Sequence, residues 1–165
     1  GVANATTLTS YTMGFMVLGY FFGLVCIPRF VSQANALRTS AISGLVITVL
    51  LLFSSNEQTM LSQLLWGWTG IAVIPNSVAL IALLGLANAM VWPTLWPLAL
   101  ADLGRFTPKG SAILIMGIAG GALMPIIYGQ LAQASNSQQA YWILLPGYLM
   151  IGFYAFYGHK MRSWS

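Results

Sequence analysis

Long apolar runs that are almost free of charge dominate this sequence and decide what it can fold into. Five such runs occupy about residues 8–27, 36–53, 78–101, 110–131 and 140–158. A helix needs roughly 20 apolar residues to cross the hydrocarbon core of a bilayer, and each run is close to that length. Charged residues make up only 5% of the chain, far below the roughly 25% of a typical soluble domain. The sequence therefore predicts an all-α membrane protein with five transmembrane helices.

The positions of the basic residues predict how these helices are oriented. The six cations are Arg29, Arg38, Arg105, Lys109, Lys160 and Arg162. With five spans they all fall on one side of the membrane, and the positive-inside rule makes that side, with the C-terminus, cytoplasmic. The same distribution in short loops argues against a nucleic-acid-binding face. Pro28, which cannot continue a helix, is expected to end the first span.

The segment at about residues 60–74 is apolar enough to suggest a sixth span. A sixth span would move the last four cations to the opposite side and break the charge pattern. We therefore expect this segment to lie at the outer membrane interface. Its tryptophans, Trp66 and Trp68, suit the level of the lipid headgroups.

Two prolines interrupt the third span. Pro93 has no N–H to donate to the carbonyl of Ala89, and Pro97 has none for the carbonyl of Pro93. We expect the helix to kink or loosen here, with its freed carbonyls covered by protein or facing a water-filled cavity. A broken helix at membrane depth is typical of ligand-binding sites within a bilayer.

Asn88, Trp92 and Trp96 follow one another at intervals of four residues, which places them on one face of this span. An indole ring can lie against the apolar C–H face of a sugar, and an amide can hydrogen-bond to its hydroxyl groups. The alternative is that both tryptophans pack against neighbouring helices and Asn88 bonds across a helix interface. The adjacent prolines favour a substrate-binding site formed by these three residues.

Small residues at four-residue spacing predict close approach between helices. Gly19 and Gly23 form such a pair in the first span, and Gly117 and Gly121 form one in the fourth.

The sequence offers no chemistry for an enzyme. The only acidic residues are Glu57, in a loop, and Asp102, at the inner end of the third span. Intramembrane carboxylates, the usual sign of a proton relay, are therefore lacking. We find no nucleophile–base pair, metal-ligand cluster or phosphate-binding loop, and we expect no catalytic residue, cofactor or metal.

The third and fourth spans resemble a known family. The matching motifs are NAMVWPTLWPLAL at 88–100, LGRFT at 103–107, GSA at 110–112 and MGIAGG at 116–121, followed by Pro125 and by QAYWI at 139–143. In these residues the chain resembles the fucose–glucose/galactose proton symporters of the major facilitator superfamily. The order of the spans resembles spans eight to twelve of the family's twelve, so the resemblance covers nearly the whole chain.

The resemblance implies a partial C-terminal bundle of a major facilitator fold, in a multi-pass protein of the inner membrane. It implies a hexose substrate, a coupling proton, and carboxylates for sugar and proton in an N-terminal half that this chain lacks. It also places Trp92 near the sugar cavity. Where fucose permeases carry Gly-Arg-Phe, this chain has Gly19-Tyr20-Phe21, which favours glucose or galactose over fucose.

A second hypothesis is a stand-alone five-span subunit with a structural or assembly role. The chain begins at Gly1 rather than methionine, which leads us to expect further residues upstream. An initiating methionine directly before Gly1 would favour the subunit, whereas a reading frame with about seven more spans would exclude it.

Overall fold

The regular structure of this chain is entirely helical within residues 5–27 and 29–161, which the computed structural model describes. The α-helices of that part are α1 (Ala5–Cys26), α2 (Gln33–Phe53), α3 (Met60–Trp66), α4 (Asn76–Ala89), α5 (Val91–Leu100), α6 (Thr107–Met116), α7 (Gly120–Ala134) and α8 (Leu144–Phe156). Short 3-10 turns join or extend several of them. Pro28 and Arg162, which were expected to end the first span and to mark the cytoplasmic side, lie outside the described residues.

Five helical segments are long and apolar enough to cross a membrane. They are Thr9–Cys26, Gln33–Phe53, Asn76–Leu100, Gly104–Ala134 and Gln139–Lys160. The third combines α4 with α5, the fourth combines α6 with α7, and the fifth contains α8. The prediction of an all-α membrane protein with five spanning helices is confirmed. Helix α3 has seven residues and at 1.5 Å per residue is only about 10 Å long, too short to cross.

Helix α2 lies at the centre of the bundle, where it packs on α4, α5 and α8, while α1 packs mainly on α4. The buried cluster comprises Leu51, Leu80, Leu84 and Tyr148. Glycines permit the closest approach between α1 and α4. A Cβ at Gly19 would lie 2.6 Å from that of Ala89, and one at Gly23 would overlap the side chain of Met90. The close approach predicted for Gly19 and Gly23 is confirmed.

Hydrogen bonds join α2 to the last span at both ends. At one end, Arg38 Nε donates to the carbonyl of Ala155 over 3.0 Å, and its guanidinium lies 5.1 Å from the ring centroid of Phe156. At the other end, Gln138 Nε2 donates to the carbonyls of Leu51 (2.6 Å) and Ser54 (2.8 Å). The two helices are therefore antiparallel and fixed as a pair.

The fourth span is the least covered part of the bundle, because neither α6 nor α7 contains a buried residue. A Cβ at Gly117 or Gly121 would meet no atom within 4 Å. Within residues 5–27 and 29–161, no other helix therefore makes the close approach that was expected at these two glycines. Near its end, the span is joined to the next turn by Tyr128, whose ring lies 5.0 Å from that of Tyr141.

The segment between α2 and α4 folds back on the ends of the spanning helices. Trp66 is only 6% exposed; its ring stacks on Tyr11 at 5.6 Å. Both side chains donate to the carbonyl of Ala72, Trp66 Nε1 over 3.1 Å and the Tyr11 hydroxyl over 3.0 Å. Trp68 is 82% exposed. Of the two tryptophans expected at headgroup level, Trp66 belongs to a buried cluster with Tyr11, whereas Trp68 is exposed.

Candidate functional site

The third span is broken in its middle, as Pro93 predicts. Helix α4 ends at Ala89 and α5 begins at Val91, with Met90 between them. The break coincides with the Ala89 carbonyl, which would bond to residue 93 in a continuous helix but meets a proline there. At Pro97, by contrast, α5 continues without interruption.

Thr94 stabilises the backbone next to this break. Its N–H and its hydroxyl both donate to the carbonyl of Met90, over 3.2 and 2.5 Å, and the hydroxyl also lies 3.2 Å from the carbonyl of Val91. Thr94 is 1% exposed. A buried hydroxyl thus adds hydrogen bonds to two backbone carbonyls that directly follow the break.

The residues singled out in the sequence lie on the uncovered face of the broken span. Asn88 is in the last turn of α4 and is exposed. Trp92 is 41% exposed, and Trp96 is half-buried. The two indole rings contact each other, with centroids 5.4 Å apart and planes inclined by 52°. The face therefore combines one amide with a pair of tilted aromatic rings.

Asn88 is also bonded to another helix. The hydroxyl of Tyr148, in the middle of α8, donates to Asn88 Oδ1 over 2.8 Å. This is the hydrogen bond across a helix interface that is predicted if Asn88 serves in helix packing. The Nδ2 group of Asn88 has no hydrogen-bond partner in the part of the chain that the structure describes. One end of the amide is thus used for packing, and the other is available to a ligand.

Tyr148 was missed by sequence reasoning. It lies in an apolar run 60 residues after Asn88, and nothing in its spacing distinguishes it from the other aromatic residues of that run. A phenol inside an apolar span does need a hydrogen-bond partner, and that requirement was the one available signal.

Two apolar grooves lie elsewhere, on either side of α1. One, of about 540 Å³, is bordered by Gly23, Met90 and Pro93, and the other, of about 590 Å³, lies between α1, α2 and α4. Neither groove is lined by Asn88, Trp92 or Trp96. Their largely apolar walls cannot replace the hydrogen bonds that a sugar makes with water. The exposed face of the third span is the better candidate for a polar ligand.

The described residues contain no group of three His, Cys, Asp or Glu side chains that could hold a metal ion. What the candidate face can supply is hydrogen bonding from an amide and contact with aromatic rings. Such a combination suits a neutral ligand that has both an apolar face and hydroxyl groups.

Comparison with known proteins gives matches along nearly the whole chain. The "Glucose/galactose transporter" of Brucella abortus biovar 1 (strain 9-941) is 29% identical over 157 residues, which cover 95% of this chain and 34% of that protein. The "Putative glucose/galactose transporter" of Helicobacter pylori (strain ATCC 700392 / 26695) is 31% identical over 168 positions, covering 98% of this chain and 36% of that protein. No protein-family model and no solved structure matches the chain.

The chain therefore spans about a third of the length of the curated relatives it matches. The names of both relatives describe transporters of glucose and galactose. Together with the five apolar helices, they indicate a multi-pass membrane protein.

Proposed function

We propose that this chain is the C-terminal part of a hexose transporter of the fucose–glucose/galactose proton symporter family, within the major facilitator superfamily. The observation that carries the proposal is the exposed face of Asn88, Trp92 and Trp96 at a broken membrane helix. Its amide and tilted indoles suit a sugar, and the relatives of the chain are named for glucose and galactose.

The location of Asn88 supports a binding role for this face. An amide that faced hydrocarbon with an unpaired N–H group would carry a desolvation cost of several kcal/mol. Its face is therefore expected to border a water-filled cavity. A hexose there would place its C–H face on Trp92 and Trp96 and a hydroxyl oxygen on Asn88. Replacing water by these contacts gives affinity without a charged side chain.

Transport would proceed by alternating access, in which two helical bundles rock about a central sugar site. Asp102 and Glu57, the only acidic residues of the chain, lie outside the middle of the spans. Proton coupling is accordingly assigned to the N-terminal half of the intact transporter.

The location proposed for the protein is the inner membrane, with the C-terminus in the cytoplasm and residues 60–74 at the outer interface. The start of α2 and the end of α8 meet at Arg38 and Ala155. The proposed orientation requires such a contact, because it places the basic residues near these two helix ends on the same side of the membrane. A stand-alone five-span subunit remains the alternative. Similarity over 95% of the chain to a protein named as a transporter favours the first proposal.

The test is hexose-dependent quenching of tryptophan fluorescence in the full-length protein. We expect glucose or galactose to quench the emission, and the Trp92→Phe or Trp96→Phe variant to lose most of that quenching. Trp142→Phe is the matched control, because Trp142 is exposed but lies on the last span. Absence of quenching by any hexose in a folded protein, or equal loss in the control, would refute the proposed site.

A simpler experiment tests whether the chain needs the rest of the transporter. Cells that express only residues 1–165 are expected to show no uptake of labelled hexose above background, because half of the cavity wall is missing. Uptake by such cells would contradict the proposal.

A further inference from the structure

Tyr148 is held rigidly where it meets Asn88. Its side chain is 3% exposed and packs with Leu51, Leu80 and Leu84. A Cβ at Gly44 would overlap its ring, so the ring fills the space that this glycine leaves on α2. With α2 bonded to α8 at Arg38 and to the segment before α8 at Gln138, the phenol has little freedom to move.

The surroundings of the phenol determine the direction of its hydrogen bond. Its ring lies among leucine side chains, and an unpaired hydroxyl in such surroundings is costly. The bond that the described chain provides for its proton runs to Asn88 Oδ1. If the Asn88 amide were rotated by half a turn, Nδ2 would donate to the phenol oxygen, and the hydroxyl proton would lose the acceptor that Oδ1 provides.

We infer that Tyr148 is a positioning residue that holds the Asn88 amide with Nδ2 outward, so that Asn88 acts only as a hydrogen-bond donor to the transported sugar. This inference rests on the proposed function. Asn88 would then select for a sugar oxygen that accepts a hydrogen bond at one defined position. Without Tyr148, the same amide could rotate and would either donate or accept.

Sugar analogues distinguish a donor from an acceptor. A fluorine in place of a hydroxyl can accept a hydrogen bond but cannot donate one, whereas a deoxy position can do neither. We would measure the binding of deoxy and fluorodeoxy analogues of glucose and galactose to the full-length protein. The position that contacts Asn88 is the one at which Asn88→Ala removes the penalty for the deoxy sugar.

At that position we expect the fluoro analogue to bind roughly 2- to 10-fold more tightly than the deoxy analogue, the ratio that one net hydrogen bond provides. In Tyr148→Phe, which keeps the ring, this ratio should fall towards 1. Tyr128→Phe is the matched control, because its hydroxyl bonds to the carbonyl of Ser137 over 2.9 Å, away from Asn88. The control should keep the ratio of the natural protein.

A double-variant comparison separates positioning from a general structural effect. Combining Tyr148→Phe with Asn88→Ala should weaken hexose binding no more than Asn88→Ala alone. Additive losses would overturn the inference, as would fluoro and deoxy analogues that bind equally to the natural protein. The analogue series needs no variant at Tyr148, so the inference can be tested even if that variant fails to fold. If the natural protein bound no hexose, the proposed function itself would fail.

Discussion

The ring of Tyr148 occupies the space that Gly44 leaves open on the facing helix, and a Cβ at Gly44 would overlap it. Gly44→Ala is therefore expected to destabilise the protein by about 1–3 kcal/mol, the usual cost of overpacking a core. Gly147→Ala, on the same helix as Tyr148, is the control, because a Cβ there meets nothing within 4 Å. Thermal unfolding in detergent would measure both, and equal midpoints would show that the contact is not tight.

Gln138, which directly precedes the last span, forms hydrogen bonds at the C-terminal end of α2. Its amide donates to the carbonyls of Leu51 and Ser54, and the Leu51 carbonyl also accepts from the N–H and the hydroxyl of Ser54. We expect Gln138→Ala to lower the free energy of unfolding by about 1–3 kcal/mol, since it removes two hydrogen bonds to partly buried carbonyls. Gln139→Ala, at an exposed neighbour, should change it little. A urea titration that ranked the two variants in the opposite order would exclude this role.

Trp66 and Trp68 should differ sharply although they are two residues apart. Trp66→Ala removes a buried ring that stacks on Tyr11, and we expect a loss of about 3–5 kcal/mol. Trp68, at 82% exposed, should tolerate alanine within about 0.5 kcal/mol. Unfolding midpoints of the two variants provide the comparison. A large loss for Trp68→Ala would mean that its ring is covered in the intact protein.

The hydroxyl of Thr94 is expected to stabilise the break in the third span. Thr94→Val keeps the shape of the side chain but removes the hydrogen bonds to the carbonyls of Met90 and Val91. We expect a cost of about 1 kcal/mol and faster amide hydrogen exchange around residue 94. Thr39→Val is the control, because the Thr39 hydroxyl makes a similar bond at an exposed site, to Asn35. Equal exchange in both variants would contradict the role of Thr94.

The spanning helices were predictable because the bilayer imposes their length and composition. The break at Ala89 was predictable for a covalent reason, since Pro93 lacks the N–H that a continuous helix requires. Charge parity alone also predicted that the short apolar segment before α4 is not a sixth span.

Contacts between distant residues were not predictable. The hydrogen bond from Tyr148 to Asn88 joins residues 60 positions apart, and neither carries a spacing that marks the pair. Gly19 and Gly117 look alike in sequence, yet a Cβ would meet Ala89 at the first and nothing within 4 Å at the second. Trp66 and Trp68 likewise differ in exposure only because of how their segment folds, and that segment is too short to show a hydrophobic periodicity.

The pairing of α2 with the last span has a consequence for biogenesis. Arg38 and the carbonyl of Ala155 are separated by 117 positions, and Gln138 lies 87 positions after Leu51. During synthesis, α2 leaves the ribosome long before α8 exists, so the face of α2 that packs on α8 stays uncovered in the membrane until α8 is made. A nascent chain arrested before residue 138 would lack both the ring that fills the space at Gly44 and the amide that bonds to the end of α2.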